Sequence, residues 1–204
     1  PPLIRDRDAY FESFGDFVEQ MAGRYITAVD SGTSVADMDI IARRTSHVVS
    51  TSERAGDPSP LTAQGVLRGI QAAVKAKFKR EDLDGIHVAI QGAGHVAYPL
   101  AKSLHALGAK LSVCSNKSSD TLRFADEFNA KVVDKEAIYA VACDVFAPCA
   151  LGGIIDSDTV QRLQAKIIAG AANNQLADPA VGITLREKNI TYAPDYVINA
   201  GGLI

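Results

Sequence analysis

Short apolar runs rich in β-branched residues alternate with helical stretches after Gly85, and this alternation limits the possible folds more than any other feature of the chain. The runs are residues 88–90, 111–113, 131–133, 145–147, 167–169 and 190–192. Helical candidates lie between most of them, at 96–107, 121–128, 158–163 and 182–188. Because parallel strands need long connections, and helices then cover both faces of the sheet, the sequence predicts an α/β fold with a doubly wound, mostly parallel sheet.

The first third of the chain has a different pattern. A helix over residues 6–21 is predicted by an apolar stripe at helical spacing, Tyr10, Phe14, Phe17 and Met21, with Phe11 and Val18 beside them. A short strand is predicted at 25–28 and a second helix at 35–41, where Ser34 and Asp37 resemble a capping box. Residues 50–60 lack periodicity and form a candidate linker before a long helix that runs to Phe78.

Composition excludes several classes of protein. The 204 residues carry 21 Lys+Arg against 24 Asp+Glu, without the basic stripe that a phosphate backbone requires, so a nucleic-acid partner is not expected. No apolar run reaches the roughly 20 residues of a membrane span, and the first residues lack signal-peptide order, so we expect a cytoplasmic protein without membrane contact. Neither the three cysteines nor the four histidines have the spacing of a disulfide framework or a metal site, and we assign no metal.

A glycine turn lies between the first predicted strand of the alternating region and the helix that follows it. The pattern G-x-G-x-x-A is fitted by residues 91–97. It requires a tight turn at Gly92, no Cβ at Gly94 so that backbone can approach a pyrophosphate, and a small residue at Ala97 where helix meets strand. His95 lies at the turn and Val96 begins the helix, whose N-terminal N–H groups suit phosphates. In this context the turn predicts dinucleotide binding and a Rossmann sheet.

The second predicted strand ends without the acidic residue that accepts hydrogen bonds from an adenosine ribose. Ser115, Asn116 and Lys117 stand there, and the first carboxylate is Asp120. A carboxylate repels a 2′-phosphate, whereas these side chains, with Arg123 one helical turn further on, could donate to one. NADP, or use of both cofactors, is therefore at least as well supported as strict NAD. Alternatively, Ser115 and Asn116 cap the next helix and the ribose is held elsewhere.

Strings along essentially the whole chain are similar to segments of one enzyme family. They are residues 23–33, 37–41, 57–63, 147–152, 168–176 and 192–202. They resemble the Glu/Leu/Phe/Val amino-acid dehydrogenases, and in particular the leucine, valine and phenylalanine branch. The resemblance implies NAD(P)-dependent oxidative deamination of an apolar L-amino acid to its 2-oxo acid and ammonia, in a cleft between a substrate domain and a Rossmann domain.

The resemblance also implies a catalytic residue. The family's proton-transfer aspartate, in the segment A-x-D-x-G-T, falls on Asp30. A carboxylate suits this role because it can take a proton from the substrate nitrogen and return it. Without the surrounding match, Asp30 and Gly32 would be interpreted as a turn only.

Other positions are implied to contact the nicotinamide. Thr62 matches a residue that contacts the carboxamide, and Asn173 or Asn174 matches an asparagine near the nicotinamide ribose, where an amide can donate and accept at once. Three residues after the fourth Rossmann strand are implied to lie along the ring: Ala147, Pro148 and Cys149.

The implied substrate positions are Asn199, Ala28 and Leu203. Asn199 matches an asparagine near the substrate. Ala28 and Leu203 match the side-chain pocket, and because both are apolar they suit an aliphatic or aromatic substrate better than glutamate.

The family's two lysines have no counterpart in this chain. One anchors the substrate carboxylate and the other assists water attack on the imine. Together with the apolar, glycine-bearing end at 201–204, their absence predicts an internal fragment. Residues 1–56 would then be part of a dimerisation-type substrate domain and linker, and 57–204 the dinucleotide-binding Rossmann domain with its hinge helix. The resemblance implies a homo-oligomer in full-length form.

Two alternatives remain open at this point. The chain could be a truncated, non-catalytic nucleotide-binding module that acts as a sensor or partner subunit. It could also be a Rossmann oxidoreductase of other specificity, because a fold alone does not fix its chemistry.

Overall fold

The computed structural model describes residues 6–30 and 32–203, with the side chain of Leu203 outside this description. The chain divides into two compact units, Pro1–Pro58 and Ser59–Ile204. Their boundary falls inside the stretch 50–60 that lacks periodicity. Among residues 6–30 and 32–203, no helix combines the length and apolar composition that crossing a bilayer requires.

The first unit contains two helices, α1 (Arg7–Gln20) and α2 (Val35–Ala42). Buried side chains of these helices form one small core with Val48: Phe11, Met38, Ile40 and Ile41. The predicted capping box at the start of α2 is confirmed, since Ser34 and the third helical residue, Asp37, bond each other's backbone N–H groups.

The helix predicted over residues 6–21 is observed, and one prediction for the first unit, the strand at 25–28, is wrong. The buried face of α1 is Phe11, Gly15 and Val18, whereas Tyr10 and Phe17 of the predicted stripe are more than half exposed. The predicted strand 25–28 is a single parallel bridge between Thr27 and Val48. A strand needs a neighbour along its length, and here the pairing does not extend beyond Thr27 in the described residues.

The second unit contains the alternating elements. Its helices are α3 (Ser59–Phe78), α4 (Ala97–Ala106), α5 (Ser118–Phe128), α6 (Thr159–Arg162), α7 (Val181–Glu187) and α8 (Asp195–Ile198), with 3₁₀ helices at Ile138–Ala140 and Ala200–Leu203. Its strands are β1 (His87–Gln91), β2 (Lys110–Cys114), β3 (Lys131–Val132), β4 (Val145–Pro148), β5 (Ile167–Ile168) and β6 (Thr191–Tyr192).

These strands form one sheet in the order β3-β2-β1-β4-β5-β6, and every pairing is parallel. The predicted doubly wound α/β fold is confirmed. The strand order reverses between β1 and β4, where Gln91 lies opposite Cys114 on one side and Pro148 on the other. In open α/β sheets ligands bind at such a reversal, outside the carboxyl ends of the strands.

Both faces of the sheet are covered. Val88 and Ile90 of β1 belong to the core that packs under α3, α4 and α5, while the intervening Ala89 belongs to the core on the opposite face. The near-continuous apolar runs of β1 and β4 follow from this double burial.

Candidate functional site

The glycine turn follows β1 directly and lies at the strand-order reversal. Gly92 has a φ of +103°, a conformation that L side chains rarely adopt, and its N–H donates to the carbonyl oxygen of Cys114 at 2.9 Å. A Cβ at Gly92 would lie 3.0 Å from the backbone of Ala150. The turn is therefore packed between the chain segments that leave β2 and β4, and it requires glycine for two separate reasons.

The second glycine faces open space instead. Gly94 is exposed, and a Cβ built on it would meet nothing within 4 Å. Helix α4 then begins at Ala97, which is fully buried, and within the described residues no side chain caps its first turn. Exposed His95 and half-buried Val96 lie between them. The helix N-terminus and its dipole are thus presented beside a surface that a phosphate could approach.

The chain after β4 lies beside the glycine turn. The N–H of Cys149 donates to the carbonyl oxygen of Gln91 at 2.7 Å, so this residue is held against the end of β1. Ala147 and Pro148 are buried in β4, and Cys149 is half-buried. Burial raises the pKa of the Cys149 thiol to about 11. The side chain is a neutral thiol near pH 7, so it can pack against a ligand but is a poor nucleophile.

Asn173 and Asn174 lie on the loop after β5, and Asn199 lies at the C-terminal end of α8. Nδ2 of Asn199 donates to Oδ1 of Asn173 at 2.6 Å and to the carbonyl oxygen of Ala171 at 3.2 Å. Asn173 is exposed and Asn199 half-buried. The structure therefore brings these two predicted residues into direct contact.

Asn174 is held by its backbone. Its N–H donates to Oδ2 of Asp195 at 2.8 Å, and the hydroxyl of Tyr192 donates to Oδ1 of the same carboxylate at 2.7 Å. Burial and this bond to Asp195 raise the pKa of Tyr192, which keeps the phenol protonated. Asp195 thus joins β6 and α8 to the asparagine loop.

Gln175, which was not predicted from the sequence, holds the loop after β5 from its buried side. Gln175 is fully buried, and its Nε2 donates to the carbonyl oxygens of Gly170 at 2.8 Å and Ala172 at 3.0 Å. A buried amide with two backbone partners fixes the path of the chain that presents Asn173. The signal was a polar residue inside an apolar, glycine-bearing string, which typically marks a buried hydrogen-bonding side chain.

The end of β2 carries the residues that replace the ribose acid. Ser115 is half-buried, Asn116 and Lys117 are exposed, and Oγ of Ser115 accepts from the N–H of Lys117 at 3.3 Å. Lys117 is the N-cap residue of α5, and within the described residues this cap uses no side chain. The alternative in which Ser115 and Asn116 cap α5 is therefore not the observed arrangement.

Arg123 does not reach this region. Its Nε donates to Oε1 of Glu127 at 2.7 Å, and its guanidinium lies 3.8 Å from the ring centroid of Tyr98. The side chain thus extends toward the C-terminal end of α5, away from Ser115. Any phosphate at the end of β2 would instead meet Ser115, Asn116 and Lys117.

Thr62 and the last described residues lie on elements that touch. Thr62 is in the first turn of α3, and the helix packs on α8 and the 3₁₀ helix so closely that a Cβ at Gly65 would lie 2.7 Å from the carbonyl oxygen of Ile198. Backbone of Leu203 belongs to that 3₁₀ helix. The predicted pocket role of the Leu203 side chain lies outside the described residues, as does Ile204.

Asp30 and Ala28 belong to the first unit, and both are exposed there. The turn after Asp30 is closed by Thr33, whose N–H donates to the carbonyl oxygen of Asp30 at 2.9 Å. Oγ1 of Thr33 accepts from the N–H of Asp30 at 2.8 Å and donates to its carbonyl oxygen at 2.7 Å. Thr33 therefore holds the backbone at Asp30.

No group of histidine, cysteine, aspartate and glutamate within the described ranges could hold a metal ion.

Known proteins match this chain over its whole length. A profile of the family Glutamate/Leucine/Phenylalanine/Valine dehydrogenase matches residues 116–204. Leucine dehydrogenase of Geobacillus stearothermophilus is 52% identical over 206 aligned positions, which cover 100% of this chain and 56% of that protein. The chain is thus similar to members of this dehydrogenase family along its whole length.

Solved structures of the family have the same architecture. L-tryptophan dehydrogenase from Nostoc punctiforme superposes with a TM-score of 0.78 at 42% identity, over 96% of this chain and 57% of that one. The hetero-hexameric glutamate dehydrogenase from Thermus thermophilus, at 19% identity, shares the fold with a TM-score of 0.81, over 100% of this chain and 56% of that one. The chain thus spans little more than half the length of these relatives.

Proposed function

We propose that this chain carries the cofactor-binding part of an enzyme that oxidatively deaminates an apolar L-amino acid, such as leucine, valine or phenylalanine, to its 2-oxo acid and ammonia with NAD(P). The observation that carries the proposal is the 52% identity to a leucine dehydrogenase along the whole chain. The glycine turn and the Asn173–Asn199 pair, which share the carboxyl edge of one sheet, support it.

The residues present fit a dinucleotide. The exposed Gly94, with open space where a side chain would be, leaves room for a pyrophosphate at the start of α4. Gly94, His95 and Val96 would hold the phosphates through their backbone N–H groups, and Gly92 would form the turn that presents them. Thr62, Asn173 and Asn174 would hold the nicotinamide end, with Ala147, Pro148 and Cys149 along the ring. When bound, the nicotinamide accepts the hydride from the substrate's α-carbon.

The chain's own side chains would orient the reactants. The pair formed by Asn199 and Asn173 leaves Oδ1 of Asn199 and Nδ2 of Asn173 available to a ribose hydroxyl or to substrate, since each amide has both a donor and an acceptor end. The neutral Cys149 thiol would exclude water from the ring without competing as a nucleophile.

Asp30 would handle the proton. As a general base and then a general acid, its carboxylate would take a proton from the substrate nitrogen and return one later in the reaction. Ala28, two residues earlier, would face the substrate side chain, together with Leu203. The apolar character of both residues supports an aliphatic or aromatic substrate.

The cofactor preference follows from the end of β2. We infer that the enzyme accepts NADP at least as readily as NAD, since Ser115 stands where a carboxylate would repel a 2′-phosphate. Exposed Asn116 and Lys117 add an amide donor and a positive charge at the N-terminus of α5.

We further infer that residues 1–56 belong to the substrate domain and 57–204 to the Rossmann domain with its hinge helix. In full-length form we expect a homo-oligomer with the amino acid and the 2-oxo acid as its small-molecule partners. A cytoplasmic location is supported by the free thiols Cys114, Cys143 and Cys149, which suit a reducing compartment.

The decisive experiment is amino-acid-dependent reduction of NAD and NADP by the full-length protein, wild type and Asp30→Asn. We expect activity with leucine, valine or phenylalanine, and a loss of kcat of at least about 100-fold in the variant, since a general acid–base typically contributes that much. Nucleotide affinity should be unchanged. Wild-type protein that binds nucleotide without any turnover would instead favour the non-catalytic module.

A further inference from the structure

A salt bridge between half-exposed Arg7 and buried Asp37 connects α1 to the residues that follow Asp30. Arg7 donates from Nε to Oδ1 of Asp37 at 2.6 Å and from Nη2 to Oδ2 at 2.8 Å. The same Nη2 donates to the carbonyl oxygen of Gly32 at 3.0 Å. One guanidinium therefore contacts both the first turn of α2 and the residue two positions after Asp30.

Asp37 is the fixed centre of this arrangement. Its side chain is only 3% exposed, and Oδ2 also accepts from the N–H of Ser34 at 2.7 Å and from its hydroxyl at 2.8 Å. The bonds from Arg7 hold the pKa of this carboxyl below its usual range. A buried carboxylate with this set of partners resists movement, because a lost bond would leave charge uncompensated.

Hydrogen bonds hold the described residues on both sides of Gly32. Thr33 closes the backbone of Asp30 with its N–H and its hydroxyl, and Ser34 begins α2 as its N-cap residue. Gly32 lies between them at a φ of +86°. The guanidinium of Arg7 connects Gly32 to α1.

We propose that Arg7 is a positioning residue for proton transfer. It holds Gly32 and Asp37, which flank Thr33 and Ser34. Through Thr33, which binds the Asp30 backbone, it sets the orientation of the Asp30 carboxylate. The inference rests on the proposed function of Asp30. Proton transfer requires donor and acceptor atoms within about 2.6–3.2 Å, and a displacement of about 1 Å can reduce the rate about 100-fold. A bond to the turn backbone can therefore affect turnover more than it affects the stability of the fold.

The chain offers a matched control for this role. Arg44 also connects α2's C-terminal end to α1, with Nε and Nη2 donating to the two carboxylate oxygens of Asp16 at 2.8 and 3.1 Å. The geometry is bidentate, as at Arg7, and the two arginines are similarly exposed, at 48% and 46% of the side chain. In the described residues, the hydrogen bonds of the Arg44 side chain go to Asp16 and not to the residues around Asp30.

The test compares Arg7→Gln, Arg7→Lys and Arg44→Gln in the full-length protein, with kcat, the KM for nucleotide and the melting temperature as readouts. We expect Arg7→Gln to lower kcat by about 10- to 100-fold with the nucleotide KM unchanged, and Arg44→Gln to change kcat less than about twofold. In Arg7→Lys the single ammonium group can still pair with Asp37. It lacks the planar guanidinium, whose second nitrogen also donates to the carbonyl oxygen of Gly32. This variant should therefore regain the melting temperature but not kcat.

Several outcomes would overturn the proposal. An Arg7→Gln variant with the kcat of Arg44→Gln would remove Arg7 from the mechanism. Full recovery of kcat in Arg7→Lys would show that charge alone matters. If Arg7→Gln does not fold, Arg7→Lys decides, because a normal kcat there contradicts the role of Gly32. A wild-type protein without amino-acid oxidation would refute the proposed function itself before any variant is compared.

Discussion

The side-chain amide of Asn199 donates to the side-chain carbonyl oxygen of Asn173 across 2.6 Å, although the two residues are 26 positions apart. The bond links the loop after β5 to the end of α8. The amide orientation is set from one side by Ala171, whose carbonyl oxygen also accepts from Asn199. Each residue thus determines which polar group its neighbour presents outward.

Replacement of either member of this pair should weaken nucleotide binding, and the effects should not add. We expect Asn173→Ala and Asn199→Ala each to raise the Kd for NAD(P)H several-fold in the full-length protein, because each change leaves the remaining amide free to rotate. The double variant should bind no worse than about the weaker single variant. Strictly multiplicative losses in a fluorescence titration would show that the two side chains act independently.

The glycine turn gives a prediction in which stability and binding separate. Gly94→Ala places a methyl group in open space, so the melting temperature should not change, while nucleotide affinity should fall at least tenfold because the methyl group occupies the phosphate approach. Thermal unfolding and titration with NAD(P)H measure the two effects. Unchanged affinity would refute phosphate binding at this turn.

Gly170→Ala is the matched change with the opposite expectation. A Cβ there would overlap the backbone of Pro148 in β4, so we expect a loss of about 1–3 kcal/mol in the free energy of unfolding, as for other overpacked sites. Chemical denaturation measures it. A fully stable variant would mean that β4 and the chain after β5 can separate without cost.

The end of β2 gives a prediction about cofactor choice. Ser115→Asp introduces a carboxylate that repels a 2′-phosphate and accepts from ribose hydroxyls, so the ratio of kcat/KM for NAD over NADP should rise at least tenfold. Asn129→Asp, at the C-cap of α5, adds the same charge at the opposite end of that helix and should leave the ratio unchanged. A wild-type enzyme that already rejects NADPH would contradict the role given to Ser115.

The Cys149 thiol gives a prediction about pH. With a pKa of about 11, only about one side chain in a thousand is a thiolate at pH 8, so alkylation should be slow. Because the pKa is raised, the thiolate fraction grows about tenfold per pH unit and should continue to grow between pH 9 and 10.5. Peptide mapping after iodoacetamide treatment measures it, with Cys149→Ser as the control. A rate that levels off near pH 9 would show an exposed thiol.

The sequence predicted the parts of the molecule that depend on local pattern. The β-rich runs after Gly85 correspond to the strands of the sheet, and the glycine turn lies between a strand and a helix as predicted. Both could be predicted because turn chemistry and burial periodicity are local properties of the sequence. The Ser34–Asp37 capping box could be predicted for the same reason, since its two partners are three residues apart.

What the sequence could not predict depends on contacts between distant residues. The pairing of Arg7 with Asp37 spans 30 positions, and neither residue is unusual in its own surroundings. The Arg123 side chain contacts Tyr98 and Glu127 and does not extend to the end of β2. The packing of α4 against α5 brings these two partners within its reach. The single bridge at Thr27 likewise depends on what lies beside it, not on β propensity.

The contact between α3 and α8 has a consequence for how such chains can diverge. A Cβ at Gly69 would lie 2.5 Å from Cγ2 of Ile198, so any larger residue at position 69 requires a smaller one at position 198. Since Ile198 immediately precedes Asn199, such a paired exchange would move an amide that we place beside the substrate. We therefore expect these two positions to vary together or not at all among homologous sequences. Their joint pattern would show whether the position of this amide is under selection.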